Sequence, residues 1–339
     1  MAYEPSVLRR AVRRLEEQRE RRTREQDRLR AEIYRSLPRL AEIDRQLRGT
    51  ISQIIAASLR SGGDPAPAIQ AVREQNLALQ AERAAVLEEN GYPAGALDDL
   101  PACPKCRDSG WVGASMCQCL RQLCAQEQIR ELSKLLDLGE QSFDTFSPYY
   151  YSDSPWPGED LSPRANMEFI YEICLSYAHK FGTFPFRNLF LTGAPGLGKT
   201  FLSACIARTV SERGFSVVYD TAVNIFTQFE EQKFSRDRAD TAQAKDETRR
   251  YLGCDLLILD DLGSELTTPF VQSALYTLVN TRLMGEQRTV ISSNLSIDEV
   301  RGRYAAQTAS RLEGEYRVLP FFGEDIRLLR KQQIGRAHV

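Results

Sequence analysis

The sequence predicts an α/β core on a parallel sheet, reached through an α-helical coiled-coil arm and a small cysteine-rich module. Three observations carry this. From about Pro163, short apolar runs alternate with helical pattern: NLFLTG, SVVYD, DLLILDD and TVISSN. Strands separated by helices build a parallel sheet. Upstream, residues 6–60 are dense in Arg, Glu, Gln and Leu, and Leu29, Ile33, Leu37, Leu40, Ile43, Leu47, Ile51 and Ile54 recur at steps of three and four. That period is helical, with one apolar face. Between the two lies CPKCRDSGWVGASMCQCL, residues 103–120, with four of the chain's eight cysteines.

Composition sets the outer bounds. A chain of 339 residues has room for two domains, one with a sizeable core. A formal net charge of −2 argues against a protein built mainly as a basic nucleic-acid coat, and leaves a local basic patch open. No run approaches the roughly twenty apolar residues of a membrane span. The start, MAYEPSVLRRAVRRLEEQRERR, lacks an apolar signal core. The expected location is cytoplasmic, where a disulfide framework is not expected.

Along the chain the expected division is a helical N-terminal arm over 1–100, a zinc-binding module with its connecting helix over 101–146, a linker over 147–162, the core over 163–333 and a non-native tail over 334–339. In the arm, Pro38 should start or kink a helix. SGGDPAP, residues 61–67, is a turn, and a second helix follows from about Ala68 to Glu89, so that the two make an antiparallel hairpin. The arm reads equally as a solvated coiled coil and as a docking arm for a partner. The linker SPYYYSDSPWPGEDLSP carries more rings than a free linker needs and should pack against something. The tail IGRAHV can be encoded by a common sequencing-library adapter, so it is expected to be foreign to the natural chain.

The core carries the chemistry. In NLFLTGAPGLGKTFLSACIA an apolar strand precedes G-x-x-x-x-G-K-T and a helix pattern follows it. Gly193, Ala194, Pro195, Gly196, Leu197 and Gly198 form a loop whose backbone N–H groups approach and wrap phosphate oxygens. Lys199 supplies a cation to the β- and γ-phosphates, Thr200 offers a hydroxyl to Mg²⁺, and the helix adds its positive end. This is an ATP-binding loop. DLLILDDLG then ends a buried strand on two carboxylates, at the strand edge where open α/β sheets bind ligands. Asp260 is placed to hold Mg²⁺ through water. Asp261 is the candidate to orient the attacking water; its plainer reading is a cap on the following turn. Asn294, at the tip of TVISSN, would reach the γ-phosphate or that water, unless it only forms a turn. Lys233, Arg236 and Arg238 offer DNA contacts or a solvated face.

The cysteines admit a redox pair, a disulfide staple or a metal knot. Cys103-Pro-Lys-Cys106 aims two thiolates at one point, and Cys117-Gln-Cys119 offers two more. In an extended segment residues i and i+2 share a face, so both could turn toward one ion. Four thiolates suit tetrahedral Zn²⁺, whereas a redox C-x-x-C would open a helix and here precedes a turn, Asp108-Ser-Gly110. The spacing favours zinc. Cys124, Cys174, Cys205 and Cys254 lie in apolar contexts and read as core.

GAPGLGKTFLSACIA, CDLLILDDLGSE, VISSNLS and TASRLEGEYRVLPFFGEDIR, together spanning about 163–330, resemble the bacterial helicase-loader branch of the AAA+ ATPases, the DnaC/DnaI-like proteins and their IstB-like relatives. The cysteine cluster also looks like the zinc-bearing region of DnaI-like loaders. The resemblance implies an AAA+ P-loop core that hydrolyses ATP between self-associated subunits and loads a replicative hexameric DNA helicase onto single-stranded DNA. It implies that Arg311, in SRL, is the arginine finger that reaches a neighbour's γ-phosphate; a structural ion pair is the plainer role. Arg327, in GEDIR, is a candidate nucleotide sensor. Two features depart from the wider AAA+ pattern: Asp261 stands where many members carry Glu, and the stretch after Arg311 is too short for a full helical lid. An IstB-like transposase helper and a nucleotide-gated adaptor with little turnover remain as alternatives.

Overall fold

The structure is a computed structural model and describes residues 3–61, 66–136, 141–234 and 238–329. Arg236 and the tail at 334–339 lie outside the described residues, as do most of the 61–67 turn and the side chains of Ile51, Ile54 and Arg238. Among the described residues no helix is long and apolar enough to cross a membrane. The chain divides into two compact units. One comprises 13–117; the other comprises 118–339 together with 1–12. Residues 3–12 thus fall in the larger unit, although the sequence pattern groups them with the arm.

The smaller unit is built on helices α1 (Pro5–Ser36, from residue 13 on), α2 (Pro38–Ser61) and α3 (Ala66–Glu89). Pro38 opens α2, as its missing N–H and fixed φ require. Leu40, near the start of α2, shares a buried cluster with Leu87, near the end of α3, and with Ile33 and Leu97. That pairing of start with end makes α2 and α3 antiparallel. Half-buried Arg83 clasps Asp44 and Asp98, each at 2.9 Å. Strands β1 (Trp111–Val112) and β2 (Ser115–Met116) form a small antiparallel hairpin after the first cysteine pair.

In the larger unit, α4 (Gln118–Leu135) and α5 (Pro163–His179) precede an alternating run: β3 (Asn188–Gly193), α6 (Lys199–Glu212), β4 (Val217–Thr221), α7 (Ala222–Phe234), α8 (Arg238–Gly253), β5 (Leu256–Leu262), α9 (Pro269–Met284), β6 (Arg288–Ser293), α10 (Ile297–Arg303), α11 (Ala306–Glu315) and β7 (Tyr316–Phe321). The five strands are parallel, in the order β4-β5-β6-β3-β7. Both faces are apolar, and alternate residues divide between them. Leu189, Leu191, Ile258 and Val290 face a core with α5 and α6. Phe190, Leu257, Leu259 and Ile291 face one with α7, α9 and α11. Unbroken apolar runs are what a sheet covered on both faces requires. The P-loop strand lies between β6 and β7, so the loop that leaves it opens among neighbouring strand ends.

The free edge of β4 is closed by a side chain. Buried Gln128 of α4 accepts from the Val217 N–H at 2.9 Å and donates to the Phe215 carbonyl at 2.9 Å and to Ser211 Oγ at 2.8 Å. An amide here imitates a missing strand and blunts an edge that would otherwise pair with another chain. The residues just before α1 join the same region: Tyr3 donates to the Gly214 carbonyl, and Glu4 pairs with Arg250 at 3.2 Å. Gln128→Leu should strand the buried Val217 N–H and the part-buried Phe215 carbonyl and cost about 2 kcal/mol; urea unfolding should show a lower midpoint, and an unchanged midpoint would mean that water replaces the amide.

Candidate nucleotide and metal sites

The phosphate loop takes its shape from three glycines with positive φ: Gly193 at 143°, Gly196 at 81° and Gly198 at 91°. At all three an added Cβ would crowd a neighbour, and at Gly193 that neighbour is backbone. A Cβ on Gly193 would lie 2.1 Å from the Phe321 carbonyl oxygen, and one on Gly196 would lie 2.1 Å from Asp325 Oδ1. The GEDIR segment therefore closes over the loop, with the Ile326 N–H donating to the Gly196 carbonyl at 3.1 Å. Tyr151 reaches in from the aromatic stretch and donates to the Leu197 carbonyl at 3.0 Å. Of the rings in that stretch, Tyr151 is buried in the core and Tyr150 packs against it, whereas Tyr149 is exposed.

A cavity of about 1300 Å³ opens at the strand ends, with Pro195 to Thr200, Asp260, Asp261, Asn294 and Arg327 in its wall. Lys199 donates to the carbonyls of Gly193 at 2.6 Å and Ala194 at 2.8 Å, and to Asn294 Oδ1 at 2.9 Å. Thr200 donates to Asp260 Oδ2 at 3.2 Å. Tyr219 donates to the same oxygen at 2.6 Å, and Ser292 donates to Oδ1. Asp261 stands at φ 58°, a left-handed conformation uncommon outside glycine and tolerated by Asp, where the register of β5 against β6 shifts. Its side chain accepts from Asn294 Nδ2 at 2.9 Å, so it is not the cap of the turn; that part falls to its carbonyl, which accepts from Ser264. Asp261 and Asn294, expected separately, meet. Arg327 is exposed at the rim of the same cavity.

Arg311 is elsewhere. It is exposed on α11 and lines a separate cavity of about 720 Å³ with Asn188 and Tyr316, the first residues of β3 and β7. The nucleotide cavity lies at the opposite ends of those strands, about 17 Å away at 3.3 Å per residue. Arg311 faces away from the phosphate loop of its own chain.

Burial pushes the Lys199 ammonium down to about 8, against the raising influence of Asp260 and Asp261. Bound polyphosphate raises it again, because an anion favours the charged form. Affinity linked to that protonation is full below pH 8 and is lost as pH rises through it. From about pH 8 to about pH 9.5, binding of a fluorescent ATP analogue without metal should weaken by up to tenfold per pH unit. Lys199→Arg, which stays charged, should bind with a flat profile. Parallel profiles for the two proteins would assign the titration to another group.

The four cysteines also converge. Cys103, Cys106, Cys117 and Cys119 bring their sulfurs within 4.8 Å of one another. Cys103 and Cys117 are 3.7 Å apart, far beyond an S–S bond; tetrahedral bonds of about 2.3 Å to zinc set a sulfur–sulfur edge of about 3.8 Å. The donor set and spacing fit Zn²⁺. Arg107 and Asp108 at positive φ turn the knuckle, and Asp108 accepts from the Cys103 N–H at 2.9 Å and Arg22 at 2.9 Å. The last pair differs from the expected extended segment: Gln118 opens α4, so Cys119 lies in its first turn while Cys117 precedes it. Cys124, Cys174, Cys205 and Cys254 are buried, as core thiols should be. Replacing Cys103 and Cys106 by Ser should release about one zinc per chain and unfold the knuckle, while ATP binding persists. Metal analysis decides this, and wild type that is folded and metal-free would overturn the assignment.

The parallel order, the phosphate loop and the carboxylate-tipped β5 define a P-loop nucleotide-binding fold. Residues 183–332 match the family described as IstB-like ATP binding protein. Over 124 residues the chain is 28% identical to the replicative helicase loader DnaI of Bacillus subtilis, covering 35% of this chain and 36% of that protein. Over 136 residues it is 25% identical to the chromosomal replication initiator protein DnaA of Campylobacter jejuni, covering 40% and 30%. The matches thus span about a third of these relatives. Among solved structures, the DnaC helicase loader aligns at 16% identity over 55% of this chain and 99% of that one, with TM-score 0.43. DnaI aligns at 18% over 56% and 93%, with TM-score 0.42. The strand order, not these superpositions, carries the fold.

Proposed function

We propose that this protein is an ATP-dependent loader of a replicative hexameric DNA helicase onto single-stranded DNA, and that it hydrolyses ATP at interfaces between its own subunits. The observation that carries the loader reading is the sequence match to a replicative helicase loader, beside a zinc-fitting cysteine knuckle upstream of the ATPase domain. The roles follow from chemistry. Backbone N–H groups of Gly193 to Gly198 and the ammonium of Lys199 cradle the phosphates. Thr200 and Asp260 present hard oxygen donors to Mg²⁺, which when bound neutralises charge on the phosphate oxygens. Asp261, hydrogen-bonded to Asn294, orients the attacking water. Arg311 serves the nucleotide of the adjacent subunit, which its exposed place on α11, away from its own phosphate loop, supports.

The family match favours a second reading, an IstB-like helper that works with a transposase. A loading assay separates them: with ATP, the purified protein should transfer a hexameric replicative helicase from its own source onto circular single-stranded DNA. Failure there, with ATP-dependent binding to a transposase, selects the second reading. Absence of turnover under any assembly condition selects a nucleotide-gated adaptor.

Subunit mixing tests the finger. Arg311→Ala should bind ATP nearly as wild type does and lose assembly-dependent hydrolysis by several orders of magnitude, on the order of 10³. Lys199→Ala should lose ATP binding but keep its finger. Mixed in the presence of single-stranded DNA or helicase, the two inactive proteins should regain activity at mixed interfaces. A silent mixture that still co-assembles would exclude action in trans.

A further inference from the structure

Asp260 is the carboxylate on which the magnesium reading depends, and it is 6% exposed. Three hydroxyls donate to it, and they are not equivalent. Thr200 and Ser292 line the nucleotide cavity. Thr200 must turn its lone pairs to the cation if it is a ligand. Ser292 Oγ is already engaged, because it also accepts from the Asp261 N–H at 3.0 Å. Tyr219 does neither. It comes from β4 behind the carboxylate, does not line the cavity, and donates to Asp260 Oδ2 at 2.6 Å.

The reach of Tyr219 is set by the sheet. Tyr219 is the register partner of Ile258, and Asp260 lies two residues further along β5. Two residues of strand advance about 6.6 Å, which is the length a tyrosine needs to lay its ring along the sheet and bring its hydroxyl to that carboxylate. The ring is buried in the core on the α6 side, with Ile258 and Leu202. A phenol held at both ends, by packing and by a short hydrogen bond, has one orientation.

We propose that Tyr219 is a positioning residue of the magnesium site, whose hydroxyl holds the Asp260 carboxylate turned toward Thr200, ready to take up Mg²⁺ with it. This rests on the reading of Thr200 and Asp260 as the magnesium-holding pair. Outer hydrogen-bond partners of metal-holding carboxylates affect metal affinity by about 10- to 100-fold. A donor that merely filled a hole would affect folding and leave the metal dependence alone.

The experiment measures binding of a fluorescent ATP analogue in EDTA and through a Mg²⁺ titration, for wild type, Tyr219→Phe and Thr200→Val. Tyr219→Phe should match wild type in EDTA within about twofold, and should need about tenfold more Mg²⁺ for its half-maximal effect. An unchanged Mg²⁺ midpoint, or an equal loss in EDTA, overturns the proposal. Thr200→Val tells the two failures apart. If wild type shows no Mg²⁺ effect that Thr200→Val removes, the underlying reading of the site has failed; if that control behaves and Tyr219→Phe follows wild type, the role of Tyr219 alone has failed. Should Tyr219→Phe not fold, wild type supplies the measurement: the Tyr219 hydroxyl proton should persist and shift when Mg²⁺ and nucleotide are added, and an unperturbed resonance overturns the proposal.

Discussion

A buried carboxylate at the end of an apolar strand has to be hydrogen-bonded, and the nucleotide domain is arranged around meeting that need for Asp260. Leaving such a group unsatisfied costs several kcal/mol. Its donors come from three other elements: Thr200 from α6, Tyr219 from β4 and Ser292 from β6. Each bond fixes one element against β5. The constraint that keeps a charge in the core therefore also brings the phosphate loop, the acidic strand and the polar tip of β6 to one place.

The same logic explains the polar pairings around it. Lys199 bonds both the loop carbonyls and Asn294, and Asn294 in turn bonds Asp261. A cation, an amide and a carboxylate thus share one network at the mouth of the cavity, where burial lowers the affinity of Lys199 for its proton. Arg311 stands outside that network, at the opposite ends of the strands. Its separation from its own site divides the chemistry between what one chain holds and what an adjacent chain would supply.

The cysteine knuckle obeys a different constraint. Its segment has a two-stranded hairpin of four residues and a turn built on positive φ at Arg107 and Asp108. So little apolar surface cannot order a chain. Four convergent thiolates can, once a metal joins them, and Asp108 steadies the turn through the Cys103 amide and Arg22.

Much of this was legible in the sequence because it is local. The phosphate loop, the carboxylate pair on β5, the cysteine spacing and the helix break at Pro38 are set by backbone geometry over a few residues. That is where residue type and spacing speak directly. The aromatic richness of 147–163 showed that it packs, but not that Tyr151 would reach the Leu197 carbonyl, 46 residues away. Tyr219 and Asp260 are 41 residues apart, Gln128 and Val217 are 89 apart, and Tyr3 and Gly214 are 211 apart. No local pattern announces such pairs. They depend on strand order and register, which the tertiary structure decides by burying two faces of one sheet and bringing distant polar groups within bonding reach.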